Sequence, residues 1–561
     1  MGPVSEEATE CSGFEALYLA ALDSDVNVIT GVPGYPITSL MELFLKHGAA
    51  SKADHSEADR NEAVYNARWL TNEKVALEIA LGASVSGKRS LVIVKHVGMN
   101  LLSDPLITSV THTIGAGLVV LAGDDPGVKG SQNEQDSRWY GRIAETAVFD
   151  PTCPDAAYGA LRRAYELSEE TKTPVILRVT AGLEKSREKI RRFPPASGSH
   201  PEFDRSIWEI RMVEKHQRFH KEVYPLLEEE AENTELNLLK AGEIRNPKSP
   251  GAIGVISSGF ASSLVEEVLE SNREKYPAVS HSTSNSTSNS TSHPVSHLSL
   301  NLVNPLPLRK IEAFLKGHHR VLVVEESEPF IEEQVRIAGN VCGKKTGHIP
   351  YGQVRPEDIE FALEHIGEER AAKPADSVHP EALKKGRTSI CDDCPYLPLY
   401  RLLRELDVRV AGDMGCSIRS APEPLAAVNV SFALGSAISV ACGFEKKGIA
   451  VIGDFALAHS GILGLLTAVH SGYEVLVLVL QNEVAAMTGG QEVPDLKEVV
   501  QAIVPDVSVF DIDREAGRRE GKTVSEKENE IPASGLSDLI AQKLACPEVS
   551  VIFVKGKCRR Y

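Results

Sequence analysis

Gly453 and Asp454 follow the apolar run GIAVI, and Asn482 follows a second run, VLVLVLQ, 28 residues after Asp454. Between them, LAHSGILGLLTAVHSG carries apolar residues at helical spacing. A carboxylate and an amide oxygen at the ends of two such strands suit a hard cation with octahedral oxygen ligands, Mg2+ above all. The carbonyl of Val484 is the third protein oxygen in an arrangement of this kind, and Gly453 lets an anionic group approach the main chain. The anion that needs Mg2+ there is a diphosphate. A strand, Gly-Asp, helix, strand, Asn unit of this length is the pattern of thiamine diphosphate (TPP) binding. An ordinary strand-end aspartate and a turn asparagine satisfy the same pair in isolation, and Phe455 stands where the pattern has Gly or Ser.

Two further groups have chemistry. TPP becomes a nucleophile when a carboxyl group pairs with N1′ of its aminopyrimidine in an apolar setting. Glu73 opens the apolar-faced helix EKVALEIALGASVS and is the candidate, although a helix N-terminus favours any glutamate. Cys391 and Cys394 form a C-x2-C pair in CDDCP, Cys416 lies in GDMGC, and Cys558 lies near the C-terminus. Four such thiolates can hold a [4Fe–4S] cluster. Zinc, a redox dithiol and unrelated buried thiols are the alternatives. Cys11, Cys153, Cys342, Cys442 and Cys546 read as isolated thiols.

The elements that must position these residues alternate strand and helix, which builds parallel sheets covered by helices. VNVITGVPG, SLVIVKHVG, GLVVLAGDDPG and TPVILRVTAG mark a first α/β domain over 1–183. A charged connector spans 184–249 and contains a helix in SIWEIRMVEKHQRFHKEVYPLLEEEAEN. A second α/β domain covers 250–372, with AIGVISSGF, LSLNLVNPLP and RVLVVEESEPF. Its Ser/Thr/Asn-rich stretch, 280–297, reads as a surface insertion. A linker, 373–388, leads to a third α/β domain, 389–561, which holds the Asp454 and cysteine motifs.

Composition sets the outer limits. A chain of 561 residues divides into about three to four domains. A net charge of −18 and only 6% aromatic residues argue against a nucleic-acid partner. No apolar run is long enough to cross a membrane, and the acidic N-terminal stretch is unlike a signal peptide. The chain is read as cytoplasmic. Nine cysteines are too few for a disulfide scaffold.

Longer strings carry a resemblance over nearly the whole chain. They are NEKVALEIALGASVSGKRSLVIVKHVGMN, AGDDPG, SQNEQDSR, VNPLP, VLVVEESEPFIEEQVR, KKTGHIP, CDDCP, GDMGC, HSGILGL and AMTGGQ. The chain resembles the large subunits of indolepyruvate:ferredoxin oxidoreductase, in the 2-oxoacid:ferredoxin oxidoreductase superfamily. That resemblance implies two TPP-type domains, pyrimidine-binding first and diphosphate-binding last, around a transketolase C-terminal-like domain. It makes Glu73 the cofactor-activating acid and sets Gly34, Tyr35, Pro36 and Thr38 near cofactor and substrate. It assigns Cys391, Cys394, Cys416 and Cys558 to a [4Fe–4S] cluster beside TPP, and makes His96 and His459 candidate catalytic histidines of the pocket, with a core histidine the alternative for each.

The implied reaction is oxidative decarboxylation of an aryl 2-oxoacid, with electrons passing to Fe–S centres and the acyl group to coenzyme A. The implied partners are a small oxidoreductase subunit, in a hetero-oligomer, and ferredoxin or another Fe–S protein. Family members continue into a ferredoxin-like tail with C-x2-C-x2-C-x3-C-P runs, which this sequence does not contain. Phe455 and Gly490 also depart from the family pattern and bear on the substrate. The alternatives are a non-redox TPP-dependent decarboxylase and a non-catalytic paralogue.

Overall fold

A computed structural model describes residues 9–53, 65–193, 200–240, 252–276, 295–371, 390–513 and 535–561. The chain forms two compact units, Met1–Ala375 and Asp376–Tyr561.

In the first unit the strands are β1 (Thr9–Ser12), β2 (Val28–Gly31), β3 (Asn66–Trp69), β4 (Ser90–Lys95), β5 (Leu118–Asp124), β6 (Val148–Phe149) and β7 (Val175–Thr180). They continue with β8 (Arg187–Ile190), β9 (Leu238–Lys240), β10 (Ile253–Ser258), β11 (Val295–Leu300), β12 (Leu302–Asn304), β13 (Arg320–Val324) and β14 (Val341–Cys342). One sheet has the order β12-β6-β7-β5-β4-β2-β3 and is parallel except for β12. Helices cover its core strands on both faces, so β4, β5 and β7 are apolar runs buried over nearly their whole length. The second sheet has the order β14-β13-β10-β11-β9, with only β9 antiparallel.

Three details depart from the sequence reading. The connector, in which the sequence signals a helix and few strands, carries β8, paired with β1, and β9, which extends the second sheet. The second α/β stretch lends β12 to the edge of the first sheet. The Ser/Thr/Asn-rich stretch ends sooner than expected, since Val295 to His297 already belong to β11. The rest of that stretch and the linker 373–388 lie outside the described residues.

Buried charge joins the two sheets. Arg178 on β7 donates to Asp124 at 2.6 Å and to Asp150 at 3.1 Å. Arg138 donates to Asp136 at 2.9 Å, to Ser258 at the end of β10 at 3.1 Å, and to Glu325 just past β13 at 2.8 Å. All of these side chains are buried. Burial pushes the carboxyls of Asp124 and Glu325 up, and the neighbouring guanidiniums oppose that shift.

The second unit has one parallel sheet, made of β15 (Val410–Gly412), β16 (Gly448–Gly453), β17 (Val475–Gln481), β20 (Val507–Asp511) and β21 (Ser550–Lys555). Its order is β15-β16-β17-β21-β20. A small antiparallel pair, β18 (Val484–Ala485) and β19 (Gln491–Glu492), folds the AMTGG loop back after β17. Both units are doubly wound α/β structures, as the strand–helix alternation requires.

Candidate functional site

In the second unit, Asp454 begins the helical stretch that follows β16. One carboxylate oxygen accepts from the N–H of Phe455 at 2.8 Å. The other accepts from the N–H groups of Asn482 at 3.0 Å and Glu483 at 2.6 Å. These bonds clamp the end of β16 to the turn after β17. Asn482 in turn accepts from the N–H of Val484 at 3.0 Å. Glu483, between them, sits at φ 65, a strained conformation for a side-chain-bearing residue. Burial pushes the Asp454 carboxyl up to about 6, against the pull of the three main-chain donors.

A cleft of about 560 Å³ opens here. Asp454, Asn482, Val484, Lys557, Cys558 and Tyr561 are among the residues that line it. A Cβ placed on Gly453 would meet nothing within 4 Å, so the main chain at this strand end is open to an approaching group. A buried carboxylate held by main-chain donors, an amide, and an open glycine fit an Mg2+–diphosphate. Gly490, at φ 78, is covered by the Tyr561 ring, where a Cβ would come within 2.5 Å. Phe455 tilts over the ring of His459, with centroids 6.5 Å apart.

The four cysteines come together beside this cleft. Cys391 and Cys394 share a turn in which the N–H of Cys394 donates to the carbonyl of Cys391 at 3.0 Å. Tyr396 then reaches across to the carbonyl of Gly556 at 2.9 Å, tying that turn to the segment carrying Cys558. Cys416 opens a short helix after β15. Burial pushes the Cys394 thiol up to about 11, and Cys416, Cys391 and Cys558 each add to the shift. Burial also raises Cys416, with Cys558 and Cys391 again among its neighbours. No three of these sulfurs lie within 4.8 Å of one another.

His459 is buried, and its Nδ1 lies 3.0 Å from the Ser460 hydroxyl. Among its neighbours is Asp413 of GDMGC, a buried residue that sequence reading did not single out. Burial pushes the Asp413 carboxyl up to about 7, while the Gly435 and Met414 N–H groups and His459 draw it back.

In the first unit, Glu73 is the first residue of the helix Glu73–Val85, whose N-cap Asn72 accepts from the Lys74 N–H at 2.9 Å. Glu73 is 4% exposed. It fits because Gly98, on the helix His96–His112, has no side chain. A Cβ there would stand 2.7 Å from Glu73 Cγ and 2.9 Å from its Oε1. The half-buried Lys95 ammonium is pushed down by desolvation, and the carboxylates of Glu73 and Asp125 oppose that.

The Lys95 stem lies against Gly34, so the Gly34-Tyr35-Pro36 turn joins the same neighbourhood. Thr38 locks that turn, accepting from the Gly34 N–H at 3.1 Å and donating to the Gly34 carbonyl at 3.0 Å. The Tyr35–Pro36 bond is cis. Asp125 accepts from the N–H groups of Lys129, Gly130 and Ser131 at 3.0, 2.8 and 2.9 Å, which folds their loop onto the Tyr35 ring. His96 is fully buried, and both ring nitrogens face main-chain carbonyls, Gly123 at 3.3 Å and Asn133 at 3.0 Å.

Sequence reading passed over Gly98, Lys95 and Asp125. The available signals were a glycine within a helical pattern and charged residues at the ends of buried strands.

Residues 413–552 match the thiamine pyrophosphate enzyme C-terminal TPP-binding domain. The chain is 30% identical to indolepyruvate oxidoreductase subunit IorA of Methanothermobacter thermautotrophicus, over 97% of this chain and 86% of that protein. It is 28% identical to the IorA protein of Archaeoglobus fulgidus, over 86% of this chain and 76% of that one. Among solved structures, 2-oxoglutarate:ferredoxin oxidoreductase from Magnetococcus marinus aligns at a TM-score of 0.46 and 14% identity, over 65% of this chain and 66% of that one. With a TPP-enzyme domain around its Asp454 cleft and this relationship along nearly its full length, the chain belongs to the IorA family of indolepyruvate oxidoreductases.

Proposed function

We propose that the chain is the catalytic component of a TPP-dependent oxidoreductase that decarboxylates an aryl 2-oxoacid to an acyl-CoA and reduces ferredoxin. The observation that carries this reading is the single cleft lined by Asp454, Asn482, Val484 and Cys558. It brings a diphosphate-type cation loop and a cysteine group to the same end of one sheet. Asp454, Asn482 and the Val484 carbonyl hold Mg2+, with Gly453 leaving room for the diphosphate. Cys391, Cys394, Cys416 and Cys558 hold a [4Fe–4S] cluster. Bound TPP supplies a nucleophilic carbon and an electron sink, and the cluster supplies one-electron acceptance.

The protein's own residues set the stage. Glu73, buried against Gly98, would hold a proton toward N1′ of the aminopyrimidine. Gly34, Tyr35, Pro36 and Thr38 shape the wall beside it. His96, with both nitrogens engaged by carbonyls, is a positioning residue that ties its helix to β5. His459, linked electrostatically to Asp413, is the histidine assigned to the substrate pocket.

A small oxidoreductase subunit completes the enzyme as a hetero-oligomer, ferredoxin or another Fe–S protein carries the electrons away, and coenzyme A takes the acyl group. An Fe–S cluster and unpaired cysteines suit a reducing cytoplasm. Among the described residues, no helix is long and apolar enough to cross a membrane. The domain reading keeps a pyrimidine-binding domain at 1–183, a transketolase C-terminal-like domain at 250–372 and a diphosphate-binding domain at 389–561.

The test is product analysis on anaerobically prepared protein given an arylpyruvate, TPP, Mg2+, coenzyme A and an electron acceptor. Acyl-CoA with reduced acceptor is expected. Free aldehyde made without any acceptor contradicts the redox reading, and failure to bind TPP removes the catalytic one.

A further inference from the structure

Away from the cofactor residues, a transition-metal donor set sits where the connector meets the first sheet's helices. The helix Met212–Arg218 runs through a π turn, Phe219–Val223, into the helix Tyr224–Asn233. His216 and His220, four positions apart, share one face, with ring centroids 4.6 Å apart. Glu145 ends the helix Arg138–Ala144 in a left-handed conformation, φ 58, which turns the chain at that point. Its Oε2 lies 3.3 Å from His220 Nε2. One ligand atom from each of the three residues lies within 4.8 Å of the other two.

The spacing has chemical meaning. Zinc–nitrogen bonds of about 2.0–2.1 Å set donor atoms about 3.4 Å apart around a tetrahedral ion. The Glu145–His220 pair already has that spacing, and small side-chain rotations bring His216 in. Two imidazoles and a carboxylate suit zinc and its neighbours in the first transition row, whereas Mg2+ prefers oxygen alone. Buried Phe219 anchors the π turn beneath the pair, and turns of this type recur at functional sites. Arg142, on the helix that Glu145 ends, donates to the Gln334 side-chain oxygen at 3.0 Å.

We propose that Glu145, His216 and His220 bind one divalent transition-metal ion of the zinc class, with the remaining positions open to water. The ion cross-links the connector to the helix that carries Arg138, and so to the buried charge joining the first unit's two larger sheets.

Cobalt(II) titration of the full-length, cluster-loaded protein tests this, because cobalt absorption distinguishes nitrogen and oxygen ligands from thiolate. Wild-type protein is expected to take up one equivalent with a nitrogen/oxygen spectrum and no thiolate band. His216→Ala and His220→Ala lose that equivalent while keeping the wild-type circular dichroism and thermal melt, which shows that the first unit is folded. Glu145→Gln weakens it by about tenfold or more. Equal uptake by wild type and both histidine variants overturns the proposal, as does no nitrogen/oxygen-type uptake by wild type.

Discussion

Gly98→Ala is the most discriminating substitution in the first unit. The added Cβ would stand 2.7 Å from Glu73 Cγ, against an ordinary contact of at least 3.4 Å. Either Glu73 or the helix His96–His112 must give way by about 0.7 Å. Overpacking on this scale costs about 1–3 kcal/mol of stability, so the protein still folds. The catalytic cost is larger, since misplacing a reacting group by about 1 Å lowers rates roughly a hundredfold. The expected result is a fall in turnover of about ten- to a hundredfold, with TPP affinity little changed. Gly82→Ala is the matched control. It lies in the Glu73 helix, and its Cβ would meet nothing within 4 Å. It should leave turnover intact and stabilise the helix by up to about 1 kcal/mol. Steady-state kinetics, calorimetric TPP binding and thermal melts on both variants decide the matter. Wild-type turnover in Gly98→Ala refutes the assignment of Glu73.

Other perturbations follow from the same geometry. Glu73→Gln keeps TPP bound and slows exchange of its C2 proton severely; unchanged exchange by NMR removes Glu73 from activation. Mg2+-dependent TPP affinity weakens as pH falls through about 6, because burial raises the Asp454 carboxyl and only its ionised form grips the cation. The loss approaches about tenfold per pH unit, and a flat calorimetric profile from about pH 7.5 to about pH 5 contradicts it. Cys558→Ala drops iron and acid-labile sulfide below one cluster per chain, and full content excludes it as a ligand. Arg178→Met strands the buried carboxylates of Asp124 and Asp150 and costs about 3–5 kcal/mol in urea unfolding; a loss under about 1 kcal/mol is the contrary result.

What was legible in the sequence was mainly what repeats locally. Continuous apolar runs at β4, β5, β16 and β17 announced parallel strands, and the Gly453-Asp454 and Asn482 motif sat at the ends of two of them. Long-range pairings were not legible. The three residues of β12 carry no period, and nothing local says that they join the first sheet. AGDDPG, SQNEQDSR and VEESEPF read as family strings of unspecified purpose. In space they supply Asp124, Asp136, Arg138 and Glu325 to the buried charge between two sheets. Their chemistry is spent on holding the fold, and it becomes visible only when distant strand ends meet. Gly98 was missed for a related reason, because its value lies in the side chain it admits from another helix.

In the proposed enzyme a cofactor cation loop and an electron-accepting cluster would share one end of the second unit. Electron paramagnetic resonance on anaerobically prepared protein, mixed with an arylpyruvate in the presence and absence of TPP and Mg2+, reads both at once. A reduced-cluster signal that appears only with TPP and Mg2+ is the predicted result. A fully loaded cluster that stays oxidised while the arylpyruvate is decarboxylated would contradict the account.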